Sequence, residues 1–141
     1  MEIIPLLIIR NKKFFTENNE EVSLEDILKQ IEQDKEIYIT DYDGIEENES
    51  NLSLYQTLSE KYIIWADSGP RHIGDVLDLV MAGATKITLR TSLFPIEDLP
   101  EIKEVTEDMI FTDIDLLNGD NLNTYNYSAP DVDGVVVLTD K

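Results

Sequence analysis

The stretch from Tyr62 to Leu93 leaves this chain few folds to choose from. It reads as a strand, a short polar turn, a helix, a glycine stop and a second strand. Tyr62 to Ala66 is apolar at both alternating sets of positions, the pattern of a strand covered on both faces. Asp67-Ser68-Gly69-Pro70-Arg71 follows at its carboxyl end, where α/β proteins place their ligands. Ile73, Val76, Leu77 and Val80 recur at helical spacing, and Gly83 falls where a helix takes a left-handed cap. Lys86 to Leu89 forms the second strand, with Arg90-Thr91-Ser92 at its end. Such a unit joins parallel strands through a right-handed crossover.

The alternation extends in both directions. Ile3 to Ile9 is an apolar run interrupted only by Pro5, near the start of a strand where a missing donor is tolerable. Arg10 to Lys13 reads as a turn, Phe14 and Phe15 as cover for one end of the fold or a short extension, and Glu17 to Glu21 as a polar loop. Ser23 is a plausible cap for a helix with Leu24, Ile27, Leu28 and Ile31 on one face. Glu36 to Thr40 is the next strand, ending in Asp41-Tyr42-Asp43-Gly44; Glu46 to Ser50 reads as a solvated loop. Asn51 then caps a helix carrying Leu54, Tyr55 and Leu58. Beyond the central stretch, a short helix starts near Leu99-Pro100 with Asp98 as its cap, and Met109 to Ile114 and Gly134 to Leu138 are strands. Leu116 to Pro130, between them, is rich in Asn, Tyr and Gly and has no helical period. Units of about 25–30 residues suit either a barrel or a doubly wound sheet. No glycine-rich fingerprint follows the first strand, which counts against a dinucleotide fold.

Charge narrows the partners. A net charge of −19, with only 11 basic residues among 141, leaves no stripe for a phosphate backbone and repels an acidic membrane. An anionic ligand would need local help from Arg71 or Arg90, both at strand ends, or from backbone N–H groups. There is no cysteine, so no disulfide, thiolate metal site or cysteine nucleophile. His72 is the only histidine, which rules out a histidine cluster or dyad within one chain. No metal or cofactor is expected. With no signal peptide or membrane span in the pattern, the expectation is a soluble, cytoplasmic protein.

The turns also carry a family resemblance. The chain resembles the phosphoribosyl isomerase and cyclase (β/α) barrels of histidine biosynthesis, the HisA/HisF type, and in particular their archaeal offshoot. Ile3-Ile4-Pro5 is similar to that family's opening strand, and Tyr38 to Gly44 to its second, which ends in an Asp-Leu-Asp-Gly-type motif. Asp67 to Arg71 falls where the family has a Gly-Gly-Gly-Ile-Arg-type turn, and Ala82-Gly83-Ala84 with Leu89-Arg90-Thr91 where it reads Ala-Gly-Ala and Leu-Gly-Thr. The resemblance implies an α/β fold of partial or shortened TIM type. About six mainly parallel strands in sequential order would curve within one domain, residues 1–141, with helices outside.

It also implies a site, altered. Ile8 stands where the family carries a catalytic Asp, so Asp115 remains as one of two acid–base carboxylates, with Asp41 as a further candidate. Ser68, Gly69 and Thr91 would cradle a phosphate through N–H groups, with Arg71 or Arg90 supplying charge. The competing reading is a turn in which Arg90 pairs with Asp67. The pairs Asp41/Asp43 and Asp113/Asp115 either hold a divalent cation, act as acid–base groups, or cap nearby helices. Tyr125 and Tyr127 offer a contact surface or packing beneath the barrel. Two functions stay open: a protein that binds a phosphorylated, sugar-like metabolite, with or without isomerase chemistry through Asp115, and an interaction subunit that has lost the reaction. Six strands cannot close an eight-stranded barrel, so residues 3–9 and 134–138 would be exposed edges, which implies a homodimer or another subunit to cover them.

Overall fold

A computed structural model describes residues 3–118 and 132–139 of the chain. The strands are β1 (Leu6–Arg10), β2 (Lys13–Phe15), β3 (Glu21–Val22), β4 (Glu36–Asp41), β5 (Ile63–Asp67), β6 (Ala84–Leu89), β7 (Met109–Asp115) and β8 (Gly134–Leu138). The helices are α1 (Leu24–Gln30), α2 (Tyr42–Glu47), α3 (Leu52–Ser59), α4 (Ile73–Met81) and α5 (Leu99–Val105). The eight strands of the described residues form one open sheet in the order β3-β2-β1-β4-β5-β6-β7-β8. From β1 through β4 to β8 the neighbours are parallel and sequential, as crossovers of one hand require. The fold is α/β with a mostly parallel sheet. No helix among the described residues is long and apolar enough to cross a membrane.

Strand alternation divides the side chains into two sets. Leu7, Ile9, Ile37, Ile39, Ile64 and Ile87 point to the face where Ile27, Tyr55, Leu58, Val76, Leu79 and Ile102 of the helices complete one buried core. Ser23 starts α1 through a full capping box with Asp26. Gly83, at φ +101°, follows the end of α4 as its spacing implies. The other face carries Tyr38, Trp65, Lys86 and Phe111; the Trp65 ring packs against Tyr38 at 5.0 Å and Phe111 at 4.4 Å between centroids, with Lys86 Nζ 5.0 Å over the Trp65 ring. Among the described helices α2 reaches this face at the carboxyl end, where Tyr42, Ile45 and Glu46 share a hollow with Tyr38 and Thr40; along the length of the strands it is helix-free. Tyr62 to Ala66 is therefore not covered on both faces: Ile63 is 45% exposed and Trp65 half-buried. Its continuous apolar run arises because the helix-free face is itself aromatic and aliphatic.

The first edge also departs from expectation. Residues 3–9 are not an open edge, because β2 pairs antiparallel with β1 and β3 with β2. The hairpin turns on Asn11 and Lys12, both at positive φ, the two-residue turn that suits a twisted ribbon. Phe14 packs into the core beneath it. The region 46–50, read as loop, is partly helical, since α2 runs to Glu47 and ends on Asn48 in the left-handed conformation. Leu116–Asn118 is a turn of 3-10 helix; Tyr125 and Tyr127 lie outside the described residues.

Candidate functional site

The carboxyl ends of the parallel strands converge on a buried ion pair. Registers of Tyr38 opposite Trp65 and Thr40 opposite Asp67 place Tyr38, Asp67, Thr88 and Arg90 on the helix-free face. Asp67 is fully buried. Its Oδ1 accepts from Arg90 Nε at 2.9 Å, and its Oδ2 from Arg90 Nη2 at 2.7 Å and from the Tyr38 hydroxyl at 2.9 Å. The proton order behind Tyr38 follows from the donors available. The Trp65 indole can only donate, and it donates to Thr88 Oγ1 at 2.9 Å. Tyr38 gives its one proton to Asp67, so across the 3.1 Å contact the Thr88 hydroxyl donates to Tyr38. Burial raises Asp67 above the ordinary carboxylate value, while the Arg90 fork and Tyr38 oppose it. Arg90 and Tyr38 both donate to Asp67, which favours its ionised carboxylate. Burial lowers Arg90, but Asp67 outweighs this and holds it protonated. Tyr38 is pushed far above the phenol range by burial, then by the Asp67 charge.

A second carboxylate closes the next turn. Asp41 is fully buried at the end of β4 and accepts from Gly44 N–H, Asn51 N–H, Asn51 Nδ2 and the Tyr55 hydroxyl, the last at 2.6 Å. Burial raises its pKa, against the pull of those donors. Asp43 accepts from Asn11 and Lys12 N–H at 2.8 and 2.9 Å and from Asn51 Nδ2 at 3.0 Å. Desolvation pushes Asp43 up, yet the Asn51, Lys12 and Asn11 bonds together bring it below the ordinary value. Asp41 and Asp43 thus cap and clamp, one at the start of α2 and the other on the β1–β2 hairpin. No group of three or more His, Asp or Glu among the described residues is placed to hold a metal ion.

The expected phosphate cradle is internally bonded. Arg71 Nη1 donates to the carbonyls of Gly44 and Gly69 at 2.7 Å each, and Nη2 to that of Ile45 at 2.8 Å. Gly69, at φ +71°, has Ile45 Cα 2.9 Å from where a Cβ would stand, and a Cβ on Gly44 would collide with the Ser68 carbonyl. The two turns are therefore in direct backbone contact. Ser68 is fully buried and accepts from the Ser50 hydroxyl at 3.0 Å. Thr91 N–H donates to Asp113 Oδ1 at 2.7 Å. Arg90 and Asp67 form the pair that the competing reading anticipated. Ser68, Gly69 and Arg71 come together in one turn, and Arg90 and Thr91 lie on the next; Asp41 sits apart on the helix side.

Asp115 is on the helix-free face at the end of β7, accepting Leu117 N–H at 3.1 Å. It lines a cavity of about 560 Å³ shared with Leu6, Tyr38, Tyr42, Arg90 and Leu138. Leu6 belongs to β1 and Leu138 to β8, so strands from both ends of the parallel array bound one hollow. Ile8 shares that face through its register with Thr40. The sequence reading missed Asn51 as a bridge between Asp41 and Asp43, and Tyr55 as the strongest donor to Asp41. An Asn ten residues after an Asp has no local signature; only the docking of α3 joins them. No protein-family model matches the chain, and no curated protein matches its sequence.

The raised Asp41 pKa sets a sign for pH dependence. The folded state holds this proton more tightly than the unfolded chain, so the associated stability is present below the ordinary value of 3.8 and is lost as pH rises through the raised value. Asp41→Asn removes that dependence and places an amide among donors. Urea denaturation from pH 3 upward is expected to show the variant less stable by about 2–3 kcal/mol near pH 3, with a deficit that shrinks as pH rises through the raised Asp41 value. A deficit that stays constant or grows with pH would contradict the cluster as drawn.

Proposed function

We propose that the chain is a shortened, divergent relative of the HisA/HisF-type barrels that binds a small molecule at the carboxyl end of its sheet and has lost the isomerase reaction. The observation that carries the reading is the cavity lined by both Leu6 and Leu138, of a size typical for metabolite sites and located where parallel α/β sheets bind ligands. Sequential parallel strands with helices on one face support a partial barrel. Loss of the reaction is supported by Ile8, which stands where the resembled family carries a catalytic Asp and cannot exchange a proton. Proton removal and return at neighbouring centres ordinarily needs two such groups. The expected outcome is no turnover of the aminoimidazole carboxamide ribotide substrate of that pathway, measured by absorbance. Turnover that disappears in Asp115→Asn would overturn this and make the chain an isomerase.

Assembly is a second reading, favoured by one observation. Among the described residues β8 pairs with β7 alone, and its run Gly-Val-Val-Val-Leu has no charge or proline to blunt it, with Val137 45% exposed. We infer a homodimer through this edge, symmetric pairing being the commonest arrangement. Light scattering is expected to show a dimer whose fraction rises with salt, because screening relieves repulsion between chains of charge −19. A monomer at high salt and high concentration would contradict it.

A further inference from the structure

The charges around the cavity define the class of ligand more narrowly, on the reading that the cavity is a binding site. Among the described residues Arg90 is the only basic one in its lining, and its fork closes on Asp67 at 2.7 and 2.9 Å. Asp113, on the neighbouring strand, is 4% exposed, and its charge acts on both members of that pair. The positive charge is therefore matched by one carboxylate and exceeded when the second is added. Glu46 stands at the opposite wall, bonded at 3.0 Å to Arg10, which also lies 3.9 Å over the Tyr42 ring. The remaining wall is aliphatic, from Leu6, Val136 and Leu138, with the Tyr38 and Tyr42 rings between. The whole molecule adds a field of −19. A phosphate entering this hollow meets carboxylates behind its one guanidinium and finds the neighbouring backbone N–H of Thr91 already bonded to Asp113. An ammonium or guanidinium on an aliphatic stem meets the reverse: the lining carboxylates of Asp115 and Glu46, the Tyr38 and Tyr42 rings to lie against, an Arg90 already neutralised by Asp67 and an apolar wall for its methylenes.

We propose that the cavity takes a small organic cation, an alkyl amine or guanidine, and discriminates against phosphorylated sugars. Isothermal titration calorimetry with agmatine, ribose and ribose 5-phosphate at a fixed ionic strength of 150 mM tests this. The expected result is single-site agmatine binding at least about tenfold tighter than ribose 5-phosphate, a difference set by the sign of the ligand charge. A protein of charge −19 also attracts cations non-specifically. Val136→Trp separates the two effects by filling the cavity without altering charge, and it is expected to abolish agmatine binding while keeping the circular dichroism spectrum. If that variant does not fold, Leu138→Phe serves the same purpose. Agmatine binding that survives a folded cavity-filled variant would be surface attraction and would overturn the proposal. Ribose or ribose 5-phosphate binding as tightly as agmatine would overturn the ligand class and leave the small-molecule reading standing. No binding of any of the three would overturn both.

Discussion

Removing the Asp67 carboxylate from water is the constraint around which the carboxyl end of the sheet is arranged. An isolated buried charge costs several kcal/mol even after relaxation, and it persists only where partners and hydrogen bonds replace the lost hydration. Arg90 supplies a bidentate partner from β6, and Tyr38 a third donor from β4. Thr88 and Trp65 then fix the direction of the Tyr38 hydroxyl. Three adjacent strands are tied at one level by a chain of bonds in which every proton has one assignment. The consequence for function is direct. The guanidinium that lines the cavity already faces a carboxylate of its own chain, and a ligand phosphate would have to compete with it.

The same logic recurs around the turn. Backbone N–H groups of Gly44 and Asn51 point at Asp41, those of Asn11 and Lys12 at Asp43, and that of Thr91 at Asp113. Turns and helix starts with such N–H groups are ready anion sites in general. Here the anions are side chains. The acidic excess is thus partly structural: carboxylates occupy positions that phosphate oxygens would otherwise take, and Arg71 knits the intervening carbonyls together. This lattice explains how turns without a full glycine motif remain tight, and why Gly44 and Gly69 are still needed where the two turns touch.

Much of this was readable from residues, for reasons that differ by element. Apolar runs bounded by turns located the parallel strands, because burial against helices demands Ile, Leu and Val at alternate positions; their sequential order was an expectation of the resemblance, since the runs alone suit a doubly wound sheet equally well. Ser23, followed by Leu24, Ile27, Leu28 and Ile31 at helical spacing, announced a helix start. The β1–β2 hairpin escaped because Asn11-Lys12 lacks the glycine that marks such turns; Asp43, distant in sequence, holds the conformation instead. The helix α2 escaped because six residues with a glycine and three acids show no apolar stripe. At the site, the Asp67–Arg90 alternative could be posed from strand ends alone. Choosing it required the register of β5 against β6, and the Asn51 and Tyr55 contacts required the docking of α3.

Whether Arg90 is engaged by Asp67 or by a ligand anion can be read from a single nucleus. Nitrogen-15 NMR resolves the Nε–H groups of Arg10, Arg71 and Arg90, and Arg90→Lys assigns the third. The expected signal is an Arg90 Nε–H that is protected from solvent exchange and does not shift when ribose 5-phosphate is added to millimolar concentration. A rapidly exchanging Arg90 signal that shifts saturably with the phosphosugar would contradict the Asp67–Arg90 pairing.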